Sequence, residues 1–224
     1  MWLNLILIIA IIALPALAQF YISITYKKYK EIKNSKQLSG FEVARKVLDA
    51  NGLNDIDIVT TSGELTDHYD PRRKVVRLSD DIFNGTSIAS LAVAAHECGH
   101  AVQDDRGYVL MRLRSILVPV VNIGTSLSYY IILIGFIFQI LNLIYIGIAL
   151  TGLGLLFQLV TLPVEIDASR RAGVNIRELG IAGPGDSSGA RSVLTAAAMT
   201  YLAGVLASAL QVARLLLIVM NRRD

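Results

Sequence analysis

Two long stretches without any charged side chain constrain the fold of this chain more than any other feature. Residues 1–26 contain no charge, and residues 115–164 form an uncharged run of 50 residues. A helix of about 20 apolar residues crosses a bilayer, so the second run is too long for one crossing and suits two helices joined by a turn. This pattern argues against a wholly soluble globule.

The apolar pattern predicts a mainly α membrane protein with about four transmembrane helices. The first is an N-terminal anchor, the second and third form a hairpin across residues 116–162, and the fourth is rich in Ala and Gly. Gln211 and Arg214 interrupt this fourth stretch, which makes it the weakest of the four signals. The predicted positions are residues 1–26, 116–137, 143–162 and 193–220.

Basic residues at the ends of these stretches predict their orientation. Five lysines follow the first stretch within residues 27–36, and arginines flank the hairpin on both sides. Basic residues stay on the cytoplasmic side, so the sequence predicts a plasma-membrane protein with its N-terminus outside and its hairpin ends inside. The alternative is an exported protein whose signal peptide is cleaved after Ala18, but no basic residue precedes the apolar stretch.

Residues 27–115 and 163–192 remain for a small cytoplasmic α+β domain. A capping-box pattern at residues 39–42 predicts the start of a helix, and Thr86 or Ser87 caps another. Residues 56–59 and 74–78 have the pattern of short strands, and the second could pair with an extended substrate. Residues 180–189, rich in Gly, Ser and Pro, are predicted to be a linker.

Composition excludes several other classes of protein. The single cysteine, Cys98, excludes a disulfide scaffold, and a net charge of +3 gives no reason to expect nucleic-acid binding. The predicted partners are a lipid bilayer and a polypeptide substrate. The oligomeric state is not predicted.

The chemistry lies in the motif His96-Glu97-Cys98-Gly99-His100. Histidines four residues apart lie on the same face of a helix, so their imidazoles can bind one metal ion. Glu97 stands beside the metal but points away from direct ligation, which suits a general base acting on water. Cys98 is predicted to be a small buried side chain, and Gly99 to allow a close approach by a neighbouring element.

A hydrolytic zinc site needs three protein ligands and one open position. The candidates for the third ligand are His68, Glu165 and Asp167, with Asp104 and Asp105 less favoured. Topology favours Glu165, because a hairpin that crosses the bilayer and returns brings residue 165 back to the level of His100. The predicted cofactor is one Zn²⁺ per chain, bound by His96, His100 and Glu165.

Four segments of the chain carry a resemblance to known proteins: residues 65–72, 96–100, 162–172 and 194–201. Together they resemble a bacterial family of neutral, membrane-bound zinc metallopeptidases, the YugP-like group. More distantly, the layout is similar to the clan of heat-shock membrane proteases and CAAX prenyl endopeptidases. The resemblance implies a zincin-like catalytic domain of the gluzincin type, in which a downstream Glu of an ExxxD pattern is the third ligand. Ser169 stands at the Asp position of that pattern, so support for a zinc-binding histidine must come from elsewhere, for example from Asp167.

The expected activity is zinc-dependent hydrolysis of peptide bonds in membrane or membrane-proximal proteins at the cytoplasmic face. Glu97 is the expected general base, and His68, Tyr69 or Tyr201 is expected to stabilise the oxyanion. The alternative is a non-catalytic membrane protein that binds zinc or partners. Structural zinc sites usually have four ligands rich in Cys, and this chain has one Cys, which favours the enzyme.

Overall fold

The computed structural model describes residues 2–220, and helices dominate this part of the chain. Four of them, α1, α5, α6 and α7, are long and apolar enough to cross a membrane. The prediction of a mainly α chain with about four candidate spans is confirmed. In chain order the elements are α1 (Trp2–Lys30), α2 (Gly40–Ala50), β1 (Asp57–Thr61), β2 (His68–Asp70), β3 (Val75–Ser79), α3 (Asp80–Phe83), α4 (Ile88–Asp105), α5 (Val109–Ile137), α6 (Leu141–Glu178) and α7 (Pro184–Met220).

The described residues divide into two compact units, and α1, α6 and α7 contribute to both. The apolar unit comprises residues 2–19, 109–163 and 200–220. The mixed unit comprises residues 20–108 and 164–199.

The apolar unit contains a tight helical hairpin made by α5 and α6. A Cβ atom at Gly135 would lie 2.7 Å from Ile144, and one at Gly147 would overlap Ile132, so both glycines permit close packing of the two helices. Ile144 also belongs to a buried cluster with Leu215 and Val219 of α7. Many other large apolar side chains are exposed, and lipid rather than water suits such surfaces.

The four long helices are longer than the predicted spans. α6 runs to Glu178 rather than stopping near residue 162, and Pro163 lies inside it. The prediction of a linker at residues 180–189 is wrong, because α7 begins at Pro184. Proline suits a first helical turn, and the carboxylate of Asp186 accepts a hydrogen bond from the backbone N–H of Gly183 at that helix start.

In the mixed unit, α2 packs against α4. The predicted capping box is present at Ser39 and Glu42, and Ser87 caps α4 through the backbone N–H of Ser90. The prediction for Cys98 is confirmed, since this side chain is fully buried and its Sγ lies 3.5 Å from the carbonyl oxygen of Ala44 in α2. The buried face of α4 fixes the orientation of the motif that it carries.

The sheet of the mixed unit has the strand order β1-β3-β2. β3 pairs in parallel with β1, with Asp57 opposite Val75, and antiparallel with β2, with His68 opposite Arg77. The hypothesis that residues 74–78 pair with a substrate is wrong, because β3 is the central strand and both of its edges are occupied. Sequence patterning missed β2, which has only three residues and precedes Pro71.

Candidate metal centre

The mixed unit brings together two histidines and one glutamate from α4 and α6. Nε2 of His96 lies 3.3 Å from Oε2 of Glu165, and Nε2 of His100 lies 3.5 Å from the same oxygen. One potential ligand atom from each residue lies within 4.8 Å of the others. Among the described residues this is the one cluster of His, Cys, Asp and Glu side chains with this geometry.

Close contact between the two helices makes this convergence possible. A Cβ atom at Gly99 would lie 2.6 Å from the carbonyl oxygen of Ala168 in α6. The prediction that Gly99 permits a close approach is therefore confirmed. Gly99 lies between His96 and His100 on α4, and Ala168 lies three residues after Glu165 on α6. The two backbones therefore touch close to the cluster.

Gln103 fixes the orientation of His100. Its Nε2 donates hydrogen bonds to the carbonyl oxygen of Val164 at 2.8 Å and to Oδ2 of Asp167 at 3.0 Å. Its Oε1 therefore faces Nδ1 of His100, at 3.0 Å, and accepts a hydrogen bond from it. A proton held on Nδ1 leaves Nε2 of His100 as the nitrogen that can bind a metal ion, or donate to Glu165 when the ring carries a second proton.

Ser169 supports His96 in a similar way. Its Oγ lies 3.2 Å from Nδ1 of His96, while Nε2 of that ring faces Glu165. His96 is therefore supported by Ser169 itself, whereas His100 is supported by Asp167 only through Gln103. Sequence reasoning missed Gln103, although its position three residues after His100 on the same helix could have revealed it.

Electrostatics at the cluster favour a bound cation. Burial alone would raise the pKa of the Glu165 carboxyl, but hydrogen bonds from His100 and His96 hold that pKa well below its usual range. Burial alone would lower the pKa of His100, but its hydrogen bond to Glu165 and the charges of Glu97 and Glu165 shift it upward. The buried carboxylate thus needs a positive charge, which a proton or a metal ion can provide.

The donor set fits a zinc ion. Two imidazole nitrogens and one carboxylate oxygen form the combination found in catalytic zinc sites, and both other ring nitrogens have hydrogen-bond partners. Three protein ligands leave a position open, whereas structural zinc sites are closed by a fourth. The residues that would hold the ion are His96, His100 and Glu165.

Glu97 lies on α4 between the two histidines. It is buried, with 8% of its surface exposed, and its carboxylate has no hydrogen bond within residues 2–220. Its predicted role as general base remains a prediction.

The three residues predicted to stabilise the oxyanion lie in different parts of the structure. His68 is exposed in β2, and its Nδ1 lies 2.7 Å from the carbonyl oxygen of Thr66, so it is outside the cluster. Tyr69 is buried, and its hydroxyl donates a hydrogen bond to Asp104 at 3.0 Å. Tyr201 lies in α7 within the apolar unit. The roles predicted for His68 and Tyr201 remain predictions.

Comparison with known families identifies the class of protein. A family model described as "Putative neutral zinc metallopeptidase" matches residues 4–220. The chain belongs to this family.

A curated relative is similar over nearly the whole length. The "Putative membrane protease YugP" of Bacillus subtilis (strain 168) is 42% identical over 218 residues, which are 97% of this chain and 97% of the relative. No solved structure matches the chain. With the four apolar helices, this relative indicates a multi-pass membrane protein.

Proposed function

We propose that this chain is a membrane-embedded zinc metalloendopeptidase. The observation that carries the proposal is the convergence of His96, His100 and Glu165, with Glu97 beside them on α4. Membership of a zinc metallopeptidase family and similarity to a membrane protease support the same conclusion. The catalytic domain is of the zincin type, with the third ligand supplied by α6.

Glu97, Gln103 and Ser169 have different roles in the proposed hydrolysis of a peptide bond. A bound zinc ion would act as a Lewis acid: it would polarise the scissile carbonyl and lower the pKa of the attacking water. Glu97 takes the proton of that water and later delivers it to the leaving amine. Gln103 and Ser169 act as positioning residues, because each holds the ring of one histidine with its Nε2 lone pair toward the centre.

The proposed site acts at the cytoplasmic surface of the plasma membrane. α4 ends at Asp105, shortly before the apolar part of α5, and Glu165 follows the apolar part of α6 in the same helix. Basic residues flank both positions, which supports a cytoplasmic location for the centre. The substrates are then membrane or membrane-proximal polypeptides.

The test compares the wild-type chain with Glu97→Gln in detergent or in lipid nanodiscs. We expect both proteins to contain one zinc per chain and only the wild type to cleave an unfolded reporter protein. A Glu97→Gln protein that cleaves at the wild-type rate would show that the role of Glu97 is wrong. Zinc binding without cleavage by the wild type would favour the non-catalytic alternative.

A further inference from the structure

A groove between α6 and α7 lies next to Ser169 within the mixed unit. Its volume is about 760 Å³, and its walls are the facing sides of the two helices. Ser169 lines the groove, and the same hydroxyl contacts His96. Ile166, the neighbour of Glu165, lines it as well and is half exposed. Ser169 therefore links the groove to His96, and none of the three candidate ligands lines the groove itself.

The lining of this groove is apolar and positively charged. Val174 and Leu194 contribute apolar surface, whereas the charged lining residues are Arg170, Arg177 and Arg191, with no acidic residue among them. Arg170 is paired with Asp167 at 2.7 Å. Arg177 and Arg191 are exposed and have no ion pair within residues 2–220. Two unpaired guanidinium groups beside apolar surface favour an occupant that carries both apolar groups and carboxylates.

The distance along α6 relates Arg177 to the metal centre. Arg177 lies twelve residues after Glu165 in one continuous helix, which corresponds to about 18 Å at 1.5 Å per residue. An extended polypeptide covers about 3.4 Å per residue, so about five residues span that distance. The link through Ser169 to His96, together with this distance, favours a polypeptide over a lipid headgroup.

We propose that the α6–α7 groove is the substrate-binding cleft, and that it selects polypeptide segments with acidic side chains about five residues from the scissile bond. Arg177 and Arg191 bind these carboxylates, while Ile166, Val174 and Leu194 contact apolar side chains. The inference rests on the proposed peptidase function, since it is the reaction at the metal centre that gives the groove a substrate.

Gly173 offers a way to block the groove without disturbing the fold. It lines the groove, and a Cβ atom at this position would meet no other atom within 4 Å. Gly173→Trp therefore places a large side chain in the groove without a clash at its Cβ atom. Gly185 has equally open space but does not line the groove, so Gly185→Trp is its matched control.

Binding is measured in the Glu97→Gln background with the full zinc-loaded chain in phosphatidylcholine nanodiscs. The probes are two fluorescein-labelled peptides of equal length and apolar content, one with Asp and Glu and one with Asn and Gln at the same positions. We expect the acidic peptide to bind about tenfold more tightly at low salt. Arg177→Glu with Arg191→Glu, and separately Gly173→Trp, should abolish this preference.

A charge-matched control is Arg72→Glu with Arg73→Glu, at two exposed arginines outside the groove. It should retain the preference for the acidic peptide. Equal affinity of the two peptides, or equal loss in the Arg72/Arg73 control, would overturn the proposal. So would a groove variant that leaves peptide binding unchanged and only lowers the amount of phosphatidylglycerol that copurifies with the chain, because that result assigns the arginines to lipid.

Cleavage by the wild-type chain then separates this inference from the proposed function. Mass spectrometry of the acidic peptide should place the cut about five residues from the acidic positions. Charge-dependent binding without cleavage would support the groove and contradict the peptidase. Cleavage without charge preference would support the peptidase and contradict the groove assignment.

Discussion

Ser169 shows how a single side chain changes the support of a metal-binding histidine. In the clan that this chain resembles, the corresponding position is Asp, whereas here a hydroxyl lies 3.2 Å from Nδ1 of His96. A serine can accept the ring proton, but it carries no charge to strengthen the imidazole as a ligand.

We therefore expect Ser169→Ala to reduce zinc affinity about 10- to 100-fold, because His96 loses the partner that orients its ring. Ser169→Asp should keep or increase the affinity by restoring a carboxylate at this position. Zinc affinity is measured by competition with a chromophoric chelator. Equal affinity of all three proteins would contradict the positioning role.

Asp167 makes the stability of the fold depend on pH. Burial alone would raise the pKa of this carboxyl, but hydrogen bonds from Arg170, Gln103 and Arg171 hold it at about 2. Because the folded-state pKa is lowered, the stabilisation is present above the unfolded value of 3.8 and is lost as pH falls toward 2.

For Asp167→Asn we expect a lower free energy of unfolding at pH 7, by about 1–2 kcal/mol, and a smaller loss of stability between pH 5 and pH 2. The measurement is chemical unfolding of the detergent-solubilised proteins across this pH range. Parallel pH profiles of the two proteins would show that the charge of Asp167 does not stabilise the fold.

At the scale of elements, the contact between α4 and α6 determines whether the centre forms. Gly99 lies against the backbone of Ala168, and this backbone cannot move without moving Glu165 in the same helix. A side chain at residue 99 therefore separates the ligands of the two helices.

Gly99→Ala should destabilise the fold by about 1–3 kcal/mol and weaken zinc binding, since the added methyl group overlaps the carbonyl of Ala168. Gly173→Ala is the control, because a Cβ atom there meets nothing within 4 Å. Thermal unfolding and zinc content are compared for both variants. If Gly99→Ala retains full stability and zinc, the close approach is not what assembles the centre.

Sequence patterning predicted the elements that carry strong local signals. The capping box at Ser39 and the cap at Ser87 marked helix starts, and the uncharged run marked the α5–α6 hairpin. The end of α6 and the start of α7 were missed because Pro163 and the Gly-rich stretch before residue 190 are also typical of breaks. The contacts of Gln103 with Val164 and Asp167 depend on tertiary packing of α4 against α6, which no local pattern records.

At the scale of the whole molecule, the proposal requires one orientation in the membrane. Cys98 is the one cysteine of the chain and is fully buried, so an introduced cysteine is the accessible thiol. This makes the orientation measurable residue by residue.

A cysteine replacing Lys36 should be protected in intact cells from a membrane-impermeant maleimide and labelled after lysis. A cysteine replacing Gln139, in the turn between α5 and α6, should be labelled in intact cells. The unmodified chain is the control for Cys98. The reversed pattern would place the metal centre outside the cell and contradict the proposed cytoplasmic site.

Zinc X-ray absorption of the wild-type chain and Glu165→Ala tests the central claim most directly. We predict one zinc per chain, bound by two imidazole nitrogens at about 2.0–2.1 Å and a carboxylate oxygen at about 2.0–2.2 Å. Most of the bound zinc should disappear in Glu165→Ala. A sulfur ligand at about 2.3 Å, or an unchanged site in Glu165→Ala, would contradict the claim that His96, His100 and Glu165 form the metal centre.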